Sequence, residues 1–103
     1  MSLFYAKHYL DKDDLLSVQN ILKKNNLTQG EYVEKFEKNL NNYFKSKYCV
    51  VLSNGTAALH LAIKSLNLKK KSRIITSPIT FVSTVSSIMM NNHIPDFVDI
   101  DEN

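Results

Sequence analysis

The chain has 103 residues, enough for one small domain with a modest core, and its 44% apolar and 22% charged residues are ordinary for a globular sequence and exclude a disordered or fibrous one. Thirteen Lys and Arg against ten Asp and Glu leave a net +3, most of it from the run Lys69-Lys70-Lys71 with Arg73; this reads as a solvated loop and not as a nucleic-acid or lipid surface. The single cysteine, Cys49, excludes an internal disulfide and a cysteine-based zinc set, and the opening MSLFYAKHYLDKDD has no apolar run long enough for a signal peptide or membrane span, so a reduced, cytoplasmic setting is expected.

Residues 1–10 lack periodicity but carry Phe4, Tyr5 and Tyr9, which suggests an ordered aromatic arm. Asp11 can cap a helix whose first turn holds Asp13 and Asp14, suited to the positive end of the helix dipole, and Leu15, Val18, Ile21 and Leu22 repeat at helical spacing to about Asn25. Asn26-Leu27-Thr28-Gln29-Gly30 breaks that pattern with the first of only two glycines, each expected to answer a backbone geometry or a close approach that a side chain would block. A second amphipathic helix follows from Glu31, with Val33, Phe36, Leu40, Tyr43 and Phe44 expected on its buried side.

The central stretch is Tyr48 to Leu66, read as an apolar strand over 48–52, a turn at Ser53-Asn54-Gly55-Thr56 and a helix rich in alanine and leucine. A strand running through a small-residue turn into a helix start gathers unpaired N–H groups and a positive dipole end at one point, where proteins hold phosphate. The same residues also serve purely structural ends, since Gly55 can take positive φ and Thr56 can act as the N-cap. Arg73 to Thr76 reads as a second strand, Phe81 to Asn91 as a helix polar on one side, and Asp96 to Ile100 as a third strand bounded by Pro95.

Alternating strands and helices with short connections imply right-handed crossovers and a mainly parallel α/β sheet, which binds ligands beyond the carboxyl ends of its strands. Those ends are Ser53 to Thr56, Ser77 to Phe81 and Asp99 to Asp101.

Read together, Ser53-Asn54-Gly55-Thr56-Ala57-Ala58-Leu59 and Thr76-Ser77-Pro78-Ile79-Thr80-Phe81-Val82-Ser83-Thr84 resemble the opening of the DegT/DnrJ/EryC1/StrS sugar aminotransferases. The resemblance runs from Tyr5 through Leu27-Thr28-Gln29-Gly30 and Phe36-Glu37 to the stretch from Pro95 to Asp101. It implies the N-terminal portion of the large domain of the aspartate aminotransferase fold (fold type I). Residues 1–30 would then form an arm and first helix, and residues 31–103 an incomplete start of the pyridoxal-phosphate domain.

The resemblance assigns Gly55, Thr56 and Ala57 to the phosphate of pyridoxal 5'-phosphate and Phe81 to stacking on its ring. It sets Tyr5, Asn26, Leu27, Thr28 and Gln29 near a nucleotide-sugar substrate. The implied reaction moves an amino group, with glutamate the expected donor, to a nucleotide-linked 4-keto-6-deoxy sugar of the kind used for pseudaminic acid and related surface glycans, in a homodimer. The alternatives are another UDP- or dTDP-linked keto sugar, or a fragment that binds nucleotide sugar or a partner without catalysis.

Three departures stand out. Leu68-Lys69-Lys70-Lys71-Ser72 replaces a Pro-Gly-Asp-Glu type of turn, a change expected to affect the loop and not the site; Asn54 stands where serine is common, with a small effect expected; and no lysine matches the one that would carry the cofactor, so the chain reads as an N-terminal fragment with no catalytic residue of its own. His60 is expected to pack or cap, and no metal set is visible.

Overall fold

The computed structural model describes residues 6–24, 27, 28 and 30–101. They form two compact units that divide between Lys47 and Tyr48.

The first unit contains helices α1, Lys12–Leu22, and α2, Glu31–Phe44. Asp11 caps α1 as expected: its carboxylate accepts from the Asp13 and Asp14 N–H groups at 2.9 and 3.0 Å, and Asp14 returns a bond to the Asp11 N–H at 3.1 Å. α2 starts at Gly30, whose φ of 101° lies where a side chain would be strained, so this glycine answers to backbone geometry. Lys24 Nζ bonds Glu31 Oε1 at 2.5 Å and lies 4.9 Å from the centre of the Tyr32 ring, tying the end of α1 to the start of α2.

The apolar stripes expected to be buried are not. Leu15, Leu16, Val18 and Leu22 on α1, and Phe36, Tyr43 and Phe44 on α2, remain largely exposed, while Leu40 is half-buried. A stripe marks the face a helix offers to a second layer, and neither helix has a fully buried residue.

The second unit contains α3, Gly55–Ser65; β1, Arg73–Thr76; α4, Val82–Met90; and β2, Ile94–Phe97. β1 and β2 pair in parallel, Arg73 opposite Ile94 and Thr76 opposite Phe97, with α4 as the crossover. Three helices end on a left-handed residue, Lys45 after α2, Asn67 after α3 and Asn92 after α4, with φ of 52, 48 and 59°. The basic loop meets the α4–β2 turn where Lys71 N–H donates to Asn92 O at 3.1 Å.

Two strand expectations are corrected. The apolar stretch 48–52 forms no strand among the described residues, where the sheet has two strands. Hydrophobicity marks a segment that seeks burial, but only a ladder partner makes it a strand.

The last strand begins at Ile94 and contains Pro95 instead of starting after it. The ladder explains why this is tolerated. Ile94 N–H donates to Ser72 O at 2.9 Å and Val98 N–H to Thr76 O at 3.0 Å, so the alternate positions, Pro95 among them, face away from β1, and its missing N–H costs no ladder bond.

α4 is also turned differently from its sequence pattern. Its serine side faces inward: Ser87 is 0% and Ser83 8% exposed, with Ile88 at 2%, whereas Val82, Met89 and Met90 are exposed. Small side chains let α3 and the strands approach closely. The hydroxyls are satisfied on the helix's own carbonyls, Ser87 Oγ on Thr84 O and Ser86 Oγ on Val82 O, each at 3.0 Å.

Candidate cofactor-phosphate site

The start of α3 is built by Asn54, not by Thr56. The Asn54 side chain accepts from the Ala57 N–H at 2.9 Å and its carbonyl accepts from Ala58 at 3.1 Å, which makes Asn54 the N-cap and sets Gly55 and Thr56 in the first turn. The preference of N-caps for Asn over Thr was the available signal in Ser53-Asn54-Gly55-Thr56. Among the described residues the Gly55 and Thr56 N–H groups have no hydrogen-bond acceptor. The Ala57 N–H is engaged by the cap.

This start differs from those of α1 and α2. Their first turns carry Asp13 and Asp14, and Glu31 and Glu34, which answer the helix dipole from within the chain. α3 has no acidic residue there. Gly55 does not take the positive φ open to a glycine, and a Cβ built on it meets nothing within 4 Å. Among the described residues neither backbone geometry nor packing therefore demands glycine, and the space where its side chain would stand is open.

Phe81 sits at the start of α4 as its N-cap residue, in extended conformation with φ −68° and ψ 141°, and without a capping side-chain bond. Its ring is 74% exposed, so it is not the core residue that a helix-start phenylalanine would often be. The loop before it is braced by Ile79 N–H donating to Ser77 Oγ at 3.2 Å and by the Thr80 and Thr84 hydroxyls, 2.9 Å apart.

α3 packs against α4. Ile63, Lys64 and Asn67 at the end of α3 border one cavity of about 260 Å³ with Met90, Asn91 and Asn92 at the end of α4. The two helices thus bring their C-terminal turns together, and their first turns, carrying Gly55, Thr56 and Phe81, lie towards the opposite end. Lys64 and Lys70 line the cavity and not the first turns.

His60 has the structural role expected of it, meeting the Asn91 side chain across the α3–α4 seam. Leu27 and Thr28 are exposed in the first unit; Tyr5, Asn26 and Gln29 lie outside the described residues. No cluster of three or more His, Cys, Asp or Glu side chains able to hold a metal occurs among the described residues, and no described helix is long and apolar enough to cross a membrane.

These residues fit a phosphate: two free N–H groups, a hydroxyl at Thr56, no carboxylate in the first turn and open space where a Gly55 side chain would stand.

The chain is 35% identical over 98 residues to a UDP-4-amino-4,6-dideoxy-N-acetyl-β-L-altrosamine transaminase of Campylobacter jejuni, covering 95% of this chain and 26% of that protein. Among solved structures, it is similar to PseC of Helicobacter pylori, an aminotransferase involved in the biosynthesis of pseudaminic acid, with TM-score 0.89, 30% identity, and 95% and 27% of the two chains covered. It is also similar to an Escherichia coli GDP-4-keto-6-deoxy-D-mannose-3-dehydratase with bound hydrated PLP, with TM-score 0.86, 31% identity, and 93% and 26% covered.

The chain spans about a quarter of the length of the curated relatives it matches, and carries the N-terminal portion of the fold type I architecture of pyridoxal-phosphate enzymes. The DegT/DnrJ/EryC1/StrS aminotransferase family matches residues 8–103, and the chain belongs to that family.

Proposed function

We propose that this chain supplies the phosphate-holding end of a pyridoxal-phosphate site in a nucleotide-sugar aminotransferase. The observation that carries the reading is the α3 start, where Gly55 and Thr56 present unpaired N–H groups without a first-turn carboxylate. When bound, the cofactor supplies the electron sink for amino-group transfer. The Gly55 and Thr56 N–H groups and the Thr56 hydroxyl donate to its phosphate, Asn54 keeps the turn rigid by holding the Ala57 N–H, and Phe81 offers a face to the pyridine ring.

Ala57 contributes by lining the turn, since its N–H is already engaged. The family resemblance sets the lysine that anchors the cofactor outside these residues, and Lys64, Lys69, Lys70 and Lys71 belong to the far end of α3 and the loop beyond it. The exposed apolar faces support the same conclusion: they are surface that a larger fold covers.

The substrate is a nucleotide-linked 4-keto-6-deoxy sugar on a route to pseudaminic acid or a related surface glycan. Glutamate is the donor, and the whole protein is a cytoplasmic homodimer. Tyr5 and the turn from Asn26 to Gln29 meet the nucleotide sugar, and residues 31–103 open the cofactor domain. The likeness to a dehydratase favours a second reading, in which the same cradle serves removal of a sugar hydroxyl.

Incubating the full-length protein with pyridoxal phosphate, glutamate and UDP-, dTDP- or GDP-linked 4-keto sugars separates these. An amino sugar with one equivalent of 2-oxoglutarate supports transamination. A 3-deoxy sugar supports the dehydratase reading, and no cofactor binding at all contradicts both.

A further inference from the structure

The two halves of the proposed cradle sit on different helices, so the spacing between the α3 amides and Phe81 depends on how far one helix is advanced along the other. On the inner face of α4 the buried positions are Ser83, Ser87 and Ile88, and the two serines are small and oppose sliding only weakly.

Among the described residues, one polar link crosses the seam. The Asn91 side-chain amide donates to the His60 carbonyl at 3.0 Å and to the Ser87 carbonyl on its own helix at 2.8 Å, and its nitrogen lies 3.2 Å from His60 Nδ1. These contacts are part-buried, and the two with His60 join residues 31 apart in sequence. His60 lies about 7.5 Å along α3 from Gly55, and Asn91 about 15 Å along α4 from Phe81, at 1.5 Å per residue. Sliding either helix by a single residue, about 1.5 Å, would lengthen and misalign the Asn91–His60 contacts, and sliding it by a turn, about 5.4 Å, would break them.

We propose that Asn91 is a positioning residue: by gripping His60 it sets the register of α3 against α4, and with it the spacing between the Gly55–Thr56 amides and Phe81. The inference rests on the cradle reading above. It makes a specific demand, because pyridoxal phosphate spans both helix starts whereas inorganic phosphate needs only the start of α3.

The test compares the two ligands on the full-length protein and its Asn91→Leu and Asn91→Asp variants, each at a temperature where circular dichroism shows it folded. Asn91→Leu keeps the bulk and removes the donor. Asn91→Asp keeps the shape and turns a carboxylate towards two carbonyls. The expected result is a loss of pyridoxal-phosphate affinity of about fivefold or more, with inorganic phosphate affinity changed by less than about twofold, and a larger pyridoxal-phosphate loss for Asn91→Asp.

Equal losses for both ligands would mean a general structural role and overturn the inference. So would pyridoxal-phosphate binding unchanged in both variants, which leaves the cradle reading intact. Failure of the natural protein to bind either ligand would remove the cradle reading and the inference together.

Discussion

Replacing Gly55 with alanine separates folding from function. The residue does not have positive φ, lies in the first turn of α3, and a Cβ there meets nothing within 4 Å. Alanine at such a position narrows the unfolded ensemble without native strain, so Gly55→Ala is expected to stabilise the protein by about 0.4–1 kcal/mol. For a cofactor domain of roughly 150–250 residues that is a rise of about 1–4 °C in thermal midpoint. The same methyl group occupies open space beside the Gly55 and Thr56 N–H groups, where the phosphate approaches.

The expected cost in pyridoxal-phosphate affinity is tenfold or more, about 1.4 kcal/mol. Differential scanning calorimetry reads the first quantity and absorbance titration with pyridoxal phosphate the second. Pyridoxal without its phosphate serves as the control whose affinity stays constant. A fall in thermal midpoint would show that glycine serves the fold, and unchanged pyridoxal-phosphate affinity would show that the phosphate does not come to this turn.

Three further expectations follow from the same geometry. Asn54→Ala removes the cap bond to Ala57 and is expected to destabilise the protein by about 1 kcal/mol in denaturant unfolding; no change would mean the cap contributes nothing. Phe81→Ala removes an exposed ring, so stability should hold while pyridoxal-phosphate affinity falls by about 0.5–1.5 kcal/mol; loss of stability with no loss of affinity would make Phe81 a packing residue.

The Lys24 hydrogen bond holds the Glu31 carboxyl below its ordinary range, and the Glu31 and Tyr32 hydrogen bonds raise Lys24 above its own. The pair's contribution is therefore present above the ordinary glutamate range and is lost as pH falls through the depressed Glu31 value. At the alkaline end it is complete below the ordinary lysine range and lost as pH rises through the raised Lys24 value. Side-chain NMR of Lys24 across an acid titration checks this, and indifference to Glu31→Gln would refute it.

What could be read from the residues alone follows local rules. The Asp11 cap, the helix starting at Glu31 and the need for glycine at position 30 are decided within a few neighbouring residues, and each was legible. The first turn of α3 was legible as a place for phosphate, but not its mechanics. Asn54, and not Thr56, is the cap, and this changes which N–H groups are free.

Features that depend on partners distant in sequence were not legible. Whether 48–52 pairs, whether Pro95 faces the ladder and which side of α4 is buried are decided by neighbours that local periodicity does not name. The link from Asn91 to His60 is of the same kind, since nothing in either local stretch points to the other. Leu15, Phe36 and Phe44 show the converse limit: a stripe correctly identified as apolar stays exposed when nothing in the chain covers it.

The most direct test of the central claim is an amide NMR titration of the full-length protein, labelled with ¹⁵N and deuterated, with pyridoxal phosphate and with pyridoxal. The account predicts that the Gly55 and Thr56 amide signals move downfield on saturation with pyridoxal phosphate and not with pyridoxal, while the Asn54-bound Ala57 amide moves less. Saturation with pyridoxal phosphate that leaves Gly55 and Thr56 unmoved would contradict it.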